Sequence, residues 1–450
     1  MQSIVMRKYL TVICLLALNL NFEARALTLK EAIDTALANS PKLAAQRLKT
    51  SQEELKLKEE TVGKLPDIYL SADGRNNLIV PTTPIPANMI NPAAKEGDLL
   101  YMRFNTPWAM SAGVNLSYDI FNPSKMTLRR AQEKELEISR LDSRAAEENL
   151  RLDVTQAYID CAIAQKQLEA MLADKKYYDS ALKESLALYR KGQISKMSLN
   201  ESEMNANTAS SNASQAETSL YESKVSLLEL MAMPADNGAA SQITIDEDLE
   251  DLMDACEGLL STDFLTADAK NSISLRKSGL ALEKAGLQKA QSKMKYAPTV
   301  SLTGYYGYNY FNNDLKFWNK ERWFGNSYVG LSVKVPVMQS FRAAKEVRRF
   351  ALQEMIEKEN LRSLENELNA KRSKLSARLA GALNQYEMKR RSYELSVENI
   401  SAERLLARKG QIKNSELYSA EYVSHNALSE YLQAAYDLLS SKIELERLAN

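Results

Sequence analysis

The chain has 450 residues, with 58 Lys and Arg against 58 Asp and Glu, one His and three Cys. A formal charge of zero provides no field to draw it onto nucleic acid, and so few Cys and His exclude a disulfide scaffold and a metal cluster. With 15 Gly, 11 Pro and 45% hydrophobic residues, roughly half the usual share of breakers, long unbroken secondary structure is expected rather than disorder.

Arg7 and Lys8 precede an apolar stretch from Tyr9 to Leu20, and Ala24-Arg25-Ala26 supplies the small residues that a signal peptidase needs. Residues 1–26 therefore read as a cleavable secretory signal, too short to span a membrane. Cys14 leaves with it, and Ile13 stands where a lipoprotein signal places a small residue, so no lipid anchor is expected. Cys161 and Cys256 remain, each in a helical pattern among apolar neighbours. They read as buried thiols, with a pairing in an oxidising compartment left open.

A helical segment from Leu29 to Lys64 leads to Pro66, and a strand-like run over 67–78 follows, with Ile68, Leu70, Ala72 and Gly74 on one face. Five prolines between Pro81 and Pro107 mark a long irregular connection. Over 111–121 the alternation is clean, with Ala112, Val114, Leu116, Tyr118 and Ile120 opposite Ser111, Gly113, Asn115, Ser117 and Asp119. From Ser124 to Met233 there is no proline and one glycine, Gly192, which divides two helical segments of a hairpin over 123–233. Ser195 or Ser198 is available as the N-cap after the turn.

The same order recurs. Strands are expected over 299–310 and 328–337, the latter with Val329, Leu331, Val333, Val335 and Val337 on one face, and a hairpin over 339–450 turns at Gly410, with Asn414 or Ser415 as cap. Arg-Lys-Gly-Gln-Ile stands at both turns, Arg190 to Ile194 and Arg408 to Ile412. Asn39-Ser40, Leu43, Leu48, Leu55 and Pro66 recur 232 positions later as Asn271-Ser272, Leu275, Leu280, Leu287 and Pro298. The chain reads as an internal duplication, 27–234 and 235–450.

Ala131, Ile138, Ala145, Leu152 and Ile159 recur every seven residues, as do Leu361, Leu368, Leu375 and Ala382, the spacing of coiled-coil packing. The strand runs have the length that crosses a bilayer as a tilted strand. Eleven aromatics lie between Tyr296 and Tyr328, which reads either as an interfacial girdle or as a packed outer loop. An open strand edge is not tolerated in lipid, and four strands are too few to close a barrel. Two copies would supply eight strands and three copies twelve.

These residues resemble the TolC family of outer-membrane efflux and secretion channels. The opening pattern stands here as Leu27-Thr28-Leu29-Lys30-Glu31-Ala32, Ala36-Leu37 and Asn39-Ser40-Pro41-Lys42-Leu43, and Leu65-Pro66 precedes the first strand. Gly410, Glu416, Ala420 and Glu421 match the helix tip, whereas the first half has Ser198 at the acidic position and Pro336-Val337-Met338 departs from the run after the last strand. The resemblance implies a mainly α protein with a membrane β-barrel. In it a homotrimer forms a twelve-stranded barrel continuous with a periplasmic α-helical barrel, the exit duct of a tripartite efflux or type I secretion system. It further implies a periplasmic adaptor docking at the tips, Gly192, Gln193, Ile194, Gly410, Gln411 and Ile412, and an inner-membrane pump that selects drug, metal, protein or polysaccharide. Glu416 is expected either to face the pore near its closed end and favour cations, or to be a solvated first-turn Glu.

Chemistry of its own is not expected. His425 has no second His, Cys or Ser motif at a useful spacing, no glycine loop cradles phosphate, and the carboxylates interleave with Lys and Arg along helices. No cofactor, metal or catalytic residue is assigned. The alternative class is a soluble periplasmic coiled-coil adaptor, which shares the hairpins and needs no alternating strands.

Overall fold

The computed structural model describes residues 26–234, 239–247, 249–257, 272–337, 339–409, 411–412 and 414–449. The expected signal, Cys14, Met338 and Gly410 fall outside them, as does the side chain of Cys256. In chain order the elements are β1 (Ala26–Leu27), α1 (Leu29–Asn39), α2 (Pro41–Val62), β2 (Asp67–Asn76), β3 (Thr83–Pro86), β4 (Leu99–Met102) and β5 (Trp108–Phe121). Then come α3 (Pro123–Arg190), α4 (Lys196–Leu230), α5 (Ala239–Gln242), β6 (Thr244–Ile245), α6 (Leu249–Glu257) and α7 (Ile273–Met294). The chain finishes with β7 (Thr299–Asn312), β8 (Trp323–Lys334), α8 (Gln339–Arg408) and α9 (Asn414–Ala449). Helix, two strands, a very long helix and a helix of about half its length thus occur twice. The chain divides into a helical unit, drawn from Met1–Thr50, Ser139–Ser278 and Asn360–Asn450, and a sheet unit of Ser51–Ile138 and Gly279–Glu359.

The segment expected as one helix over 29–64 is two. Thr28 caps α1 by accepting from the Glu31 N–H at 3.3 Å, and the Ser40 N–H donates to Ala36 at its end. Ser40 Oγ then accepts from the Leu43 N–H at 3.3 Å, with Pro41 at the first helical position, where its missing N–H costs nothing. The pattern that carries the family resemblance is therefore, physically, two successive helix caps.

In the helical unit, β1 pairs in parallel with β6, Leu27 beside Ile245, which sets the beginnings of the two halves side by side. The fully buried Tyr158 donates its hydroxyl to the Leu27 carbonyl at 2.8 Å. The core runs along helix seams: Leu368, Leu375, Leu379, Tyr386 and Ile400 of α8 are buried, at separations that fit the a and d positions of a heptad. Tyr431 of α9 stacks on Tyr393, rings 5.4 Å apart, and lies 5.8 Å from Tyr386.

Cys161 is among the fully buried residues, and burial pushes its thiol up to about 12, with Asp160 adding to the shift and Lys224 opposing it. Since the thiolate is the reacting species, maleimide at pH 8 is expected to leave Cys161 unlabelled in the native protein and to label it fully after denaturation, read by intact mass. A labelled native Cys161 would contradict its burial.

The sheet unit holds a four-stranded antiparallel sheet in the order β2-β5-β7-β8. The helices beside it keep that order. Gln132 of α3 donates to Glu53 of α2 at 2.7 Å, Lys284 of α7 reaches Glu135 of α3 at 2.5 Å, and Lys289 of α7 reaches Glu354 of α8 at 2.6 Å. Strand limits differ from the sequence reading at both ends. β8 begins at Trp323, because Trp323 pairs with Tyr310, and stops at Lys334, short of the expected 337, because Pro336 has no N–H to donate. β2 stops at Asn76 rather than 78, where the Asn77 N–H turns to the Pro107 carbonyl at 2.7 Å, and β5 starts three residues early at Trp108.

A bulge between Asp119 and Phe121 places Phe121 opposite Val300, so the expected alternation slips at Ile120. The proline-rich connection is not wholly irregular either, since β3 and β4 form a two-stranded ribbon within it.

Candidate functional site

Register assigns the two faces of the sheet. Ile68, Leu116 and Gly304 lie in line, as do Leu70, Val114 and Tyr306, and Leu302 faces Leu331. That face is apolar and uncovered, with Leu70 82%, Val329 77% and Leu331 65% exposed. The opposite face carries Ser71, Asn115, Ser117 and Ser332, and Asn115 donates to Ser71 at 2.8 Å. In water such an apolar face and the unpaired outer edges of β2 and β8 would be a liability; in lipid the face is at home and only the edges need partners.

The aromatics gather at one end of the sheet and in the loop after β7. At the loop end of the sheet Trp323 packs on Tyr310 at 5.4 Å and Phe324 on Phe311 at 6.5 Å, with Trp108 in register with Asn312. Tyr310, fully buried, also organises the loop after β7. Its hydroxyl donates to the Asp314 carbonyl at 2.8 Å and accepts from the Lys316 N–H at 2.9 Å.

Both tips close by the same bond. At the first, Gly192 has φ +72°, its N–H donates to Tyr189 and the Gln193 N–H donates to Leu188, both at 2.9 Å. This is a Schellman motif, which needs a left-handed residue at that position. At the second tip the Gln411 N–H donates to Leu406 at 3.0 Å, across the same five-residue interval. Gln193 and Gln411 are exposed, and Ile194 and Ile412 half-buried. Of the two candidate caps after the first turn, Ser195 is the one used, accepting from the Ser198 N–H at 3.1 Å. After the second turn α9 opens at Asn414, and the side chains of both candidate caps there lie outside the described residues. Glu416 is exposed in the first turn of α9.

The structure also assembles a charged cluster in the helical unit that the sequence reading missed. Arg404 of α8 donates to Asp174 of α3 at 2.9 Å and to Glu421 of α9 at 3.1 Å, while its guanidinium lies over the Tyr177 ring, 4.2 Å from the centroid. Glu421 is 3% exposed and accepts a further bond from the Tyr178 hydroxyl. His425 Nε2 lies 3.1 Å from the other oxygen of Asp174. Burial would lower the guanidinium pKa, but the bonds and charges of Asp174 and Glu421 outweigh it and raise it. A cavity of about 300 Å³, lined by Asn205, Thr208 and Asn212 of α4 together with Asp174, Glu421 and His425, adjoins the cluster. His425 is the outer member of this cluster, set beside Asp174 so that α9 meets α3 there.

The sheet unit holds an open four-stranded sheet with an apolar outer face, and the helical unit holds long helices that turn after Arg190 and after Arg408. Residues 32–232 match the sequence model of the outer membrane efflux protein family. No curated protein matches by sequence. Among solved structures, the outer membrane protein VceC from Vibrio cholerae shares the fold at a TM-score of 0.69 and 15% identity, over 94% of this chain and 96% of that one. The MtrE outer membrane channel of Neisseria gonorrhoeae, in its open state, follows at 0.68 and 16%, over 94% and 88%. The CmeC outer membrane channel of Campylobacter jejuni gives 0.65 and 15%, over 94% and 85%.

Proposed function

We propose that three copies of this chain close their sheets into a twelve-stranded barrel in the bacterial outer membrane, continuous with a helical barrel in the periplasm. The assembly is the exit duct of a tripartite efflux or type I secretion system. It conducts passively and carries no cofactor, metal or catalytic group. The chain reaches the periplasm by the cleavable signal of residues 1–26. An inner-membrane pump and a periplasmic adaptor deliver cargo, the adaptor meeting Gly192, Gln193, Ile194, Gly410, Gln411 and Ile412 at the tips.

The observation that carries this reading is the pair of unpaired edges, β2 and β8, on a sheet whose exposed face is apolar. In a bilayer each unpaired backbone group costs several kcal/mol, so the edges must meet those of other copies. The edge helices support the same closure: Leu55 and Val62 of α2, and Leu352, Met355 and Ile356 of α8, are all exposed.

Reconstitution of the purified protein into planar bilayers tests conduction directly, with uniform conductance steps expected and a folded, inserted protein that never conducts as the contrary result. In this reading Glu416 contributes three carboxylates near the closed end of the passage. Glu416→Ala is therefore expected to reduce cation over anion permeability by about twofold, the size of a modest change in local potential. Unchanged reversal potentials in a salt gradient would instead make it a solvated first-turn residue.

A further inference from the structure

Beyond the conduit itself, we propose that the cleft between the end of α7 and the first turns of α8 is a binding site for a phosphate-type anion. The cleft is a cavity of about 590 Å³ lined by Lys295, Arg342, Ala343, Lys345, Glu346 and Arg349. Four of these side chains are cationic, and the single carboxylate is already taken, since Lys295 Nζ lies 2.7 Å from Glu346. Arg342, Lys345 and Arg349 make no ion pair among the described residues. The side chains outside the description at this point, Met338 to Phe341, carry no charge.

The corresponding start of α3 contrasts with this. Lys125 pairs with Asp119 at 2.8 Å, Arg129 with Glu133 at 3.3 Å and Lys134 with Glu283 at 3.0 Å. Of the four cations there, Arg130 alone makes no ion pair among the described residues, against Arg342, Lys345 and Arg349 at the start of α8, so the excess of unpaired positive charge is larger in the second half. Arg349 is also held in place, its guanidinium 4.4 Å from the centroid of the Phe350 ring, so little rotamer freedom is lost when an anion arrives.

Position adds to chemistry. Helix α8 begins five residues after β8 ends, so on the reading of the sheet as a membrane barrel the cleft lies at the lipid–water boundary. Basic clefts at that level recognise anionic headgroups, and paired guanidinium groups bind phosphate by two parallel hydrogen bonds. The same group is carried by a phospholipid or by a free phosphate in the water. Only the first source depends on the membrane reading; the anion chemistry stands without it.

The test uses the full-length protein in detergent, with inorganic phosphate titrated by calorimetry, and the protein in nanodiscs of phosphatidylglycerol or of phosphatidylcholine analysed by native mass spectrometry. The expected result is saturable anion binding that Arg342→Gln with Arg349→Gln weakens by about tenfold or more, as loss of charge-assisted bonds requires. Retention of phosphatidylglycerol over phosphatidylcholine identifies the lipid as the source, and phosphate binding without that preference identifies a soluble anion. Both side chains are exposed, so the double variant is expected to keep the wild-type melting temperature; Lys345→Gln serves as an independent variant if it does not. Absence of binding in both arms, or binding that the variants leave unchanged, overturns the site.

Discussion

Gly307→Ala is expected to prevent β5 and β7 from pairing and so to abolish the assembled barrel. Gly307 stands opposite Gly113 in the register, and a Cβ on it would run into the Ala112 carbonyl oxygen and come within 2.6 Å of the Gly113 Cα. Both are backbone atoms and cannot swing aside. The Tyr305 phenol covers the glycine pair from the polar face, 2.6 Å from the same Cβ position, and its ring is held by stacking on Tyr328 at 5.9 Å. An aromatic over paired strand glycines is a known way to restore the packing that glycine forgoes. Overpacking at such a point costs about 3 kcal/mol or more, and in lipid any ladder bond broken to relieve it adds several kcal/mol. The check is the amount of heat-resistant oligomer in outer-membrane fractions. Gly325→Ala is the control, because its nearest neighbour would be Tyr308 Cε1 at 3.8 Å, and it is expected to assemble as the wild type does.

The second large effect is expected at Arg404. Replacing it with Met leaves Glu421, 3% exposed, without its cation, and removing one partner of a buried ion pair costs about 3 to 5 kcal/mol. Arg404 itself keeps 25% of its side chain in solvent, so the lower end of that range applies. The helical unit should melt earlier by circular dichroism. Neutralising the orphan with Glu421→Gln in the Arg404→Met background should recover part of the loss, giving a coupling energy of about 1 kcal/mol or more in a double-mutant cycle. Simple additivity of the two variants would mean that the pair contributes only packing.

Much of this architecture is legible in the sequence because it is written in short-range signals. Pro and Gly placement marks the hairpins, and Gly192 announces a left-handed turn and Ser195 a cap, whereas the caps at Thr28 and Ser40 stay hidden because a helical pattern from Leu29 to Lys64 masks the break between them. Alternation over Ala112 to Tyr118 marks a strand with one apolar face. What the sequence does not carry is anything decided by register or by distant chain segments. The Gly113–Gly307 opposition exists only once β5 and β7 are aligned, and the bulge at Ile120 is invisible to a strict two-residue period. The Arg404 cluster joins residues up to 251 positions apart, Asp174 to His425. Its one local trace is a pair of four-residue spacings, Asp174 with Tyr178 and Glu421 with His425, each of which sets two polar groups on one helix face. The limits of β8 show the same division: Pro336 is a local signal that stops the strand, while its early start at Trp323 depends on pairing with Tyr310.

Closure by three copies is the central claim, and the mass of the purified particle tests it most directly. Native mass spectrometry or light scattering of the detergent-solubilised protein, with the detergent contribution subtracted, should give three times the mass of the mature chain. A particle of one mature chain, with β2 and β8 left unpaired, would contradict the account.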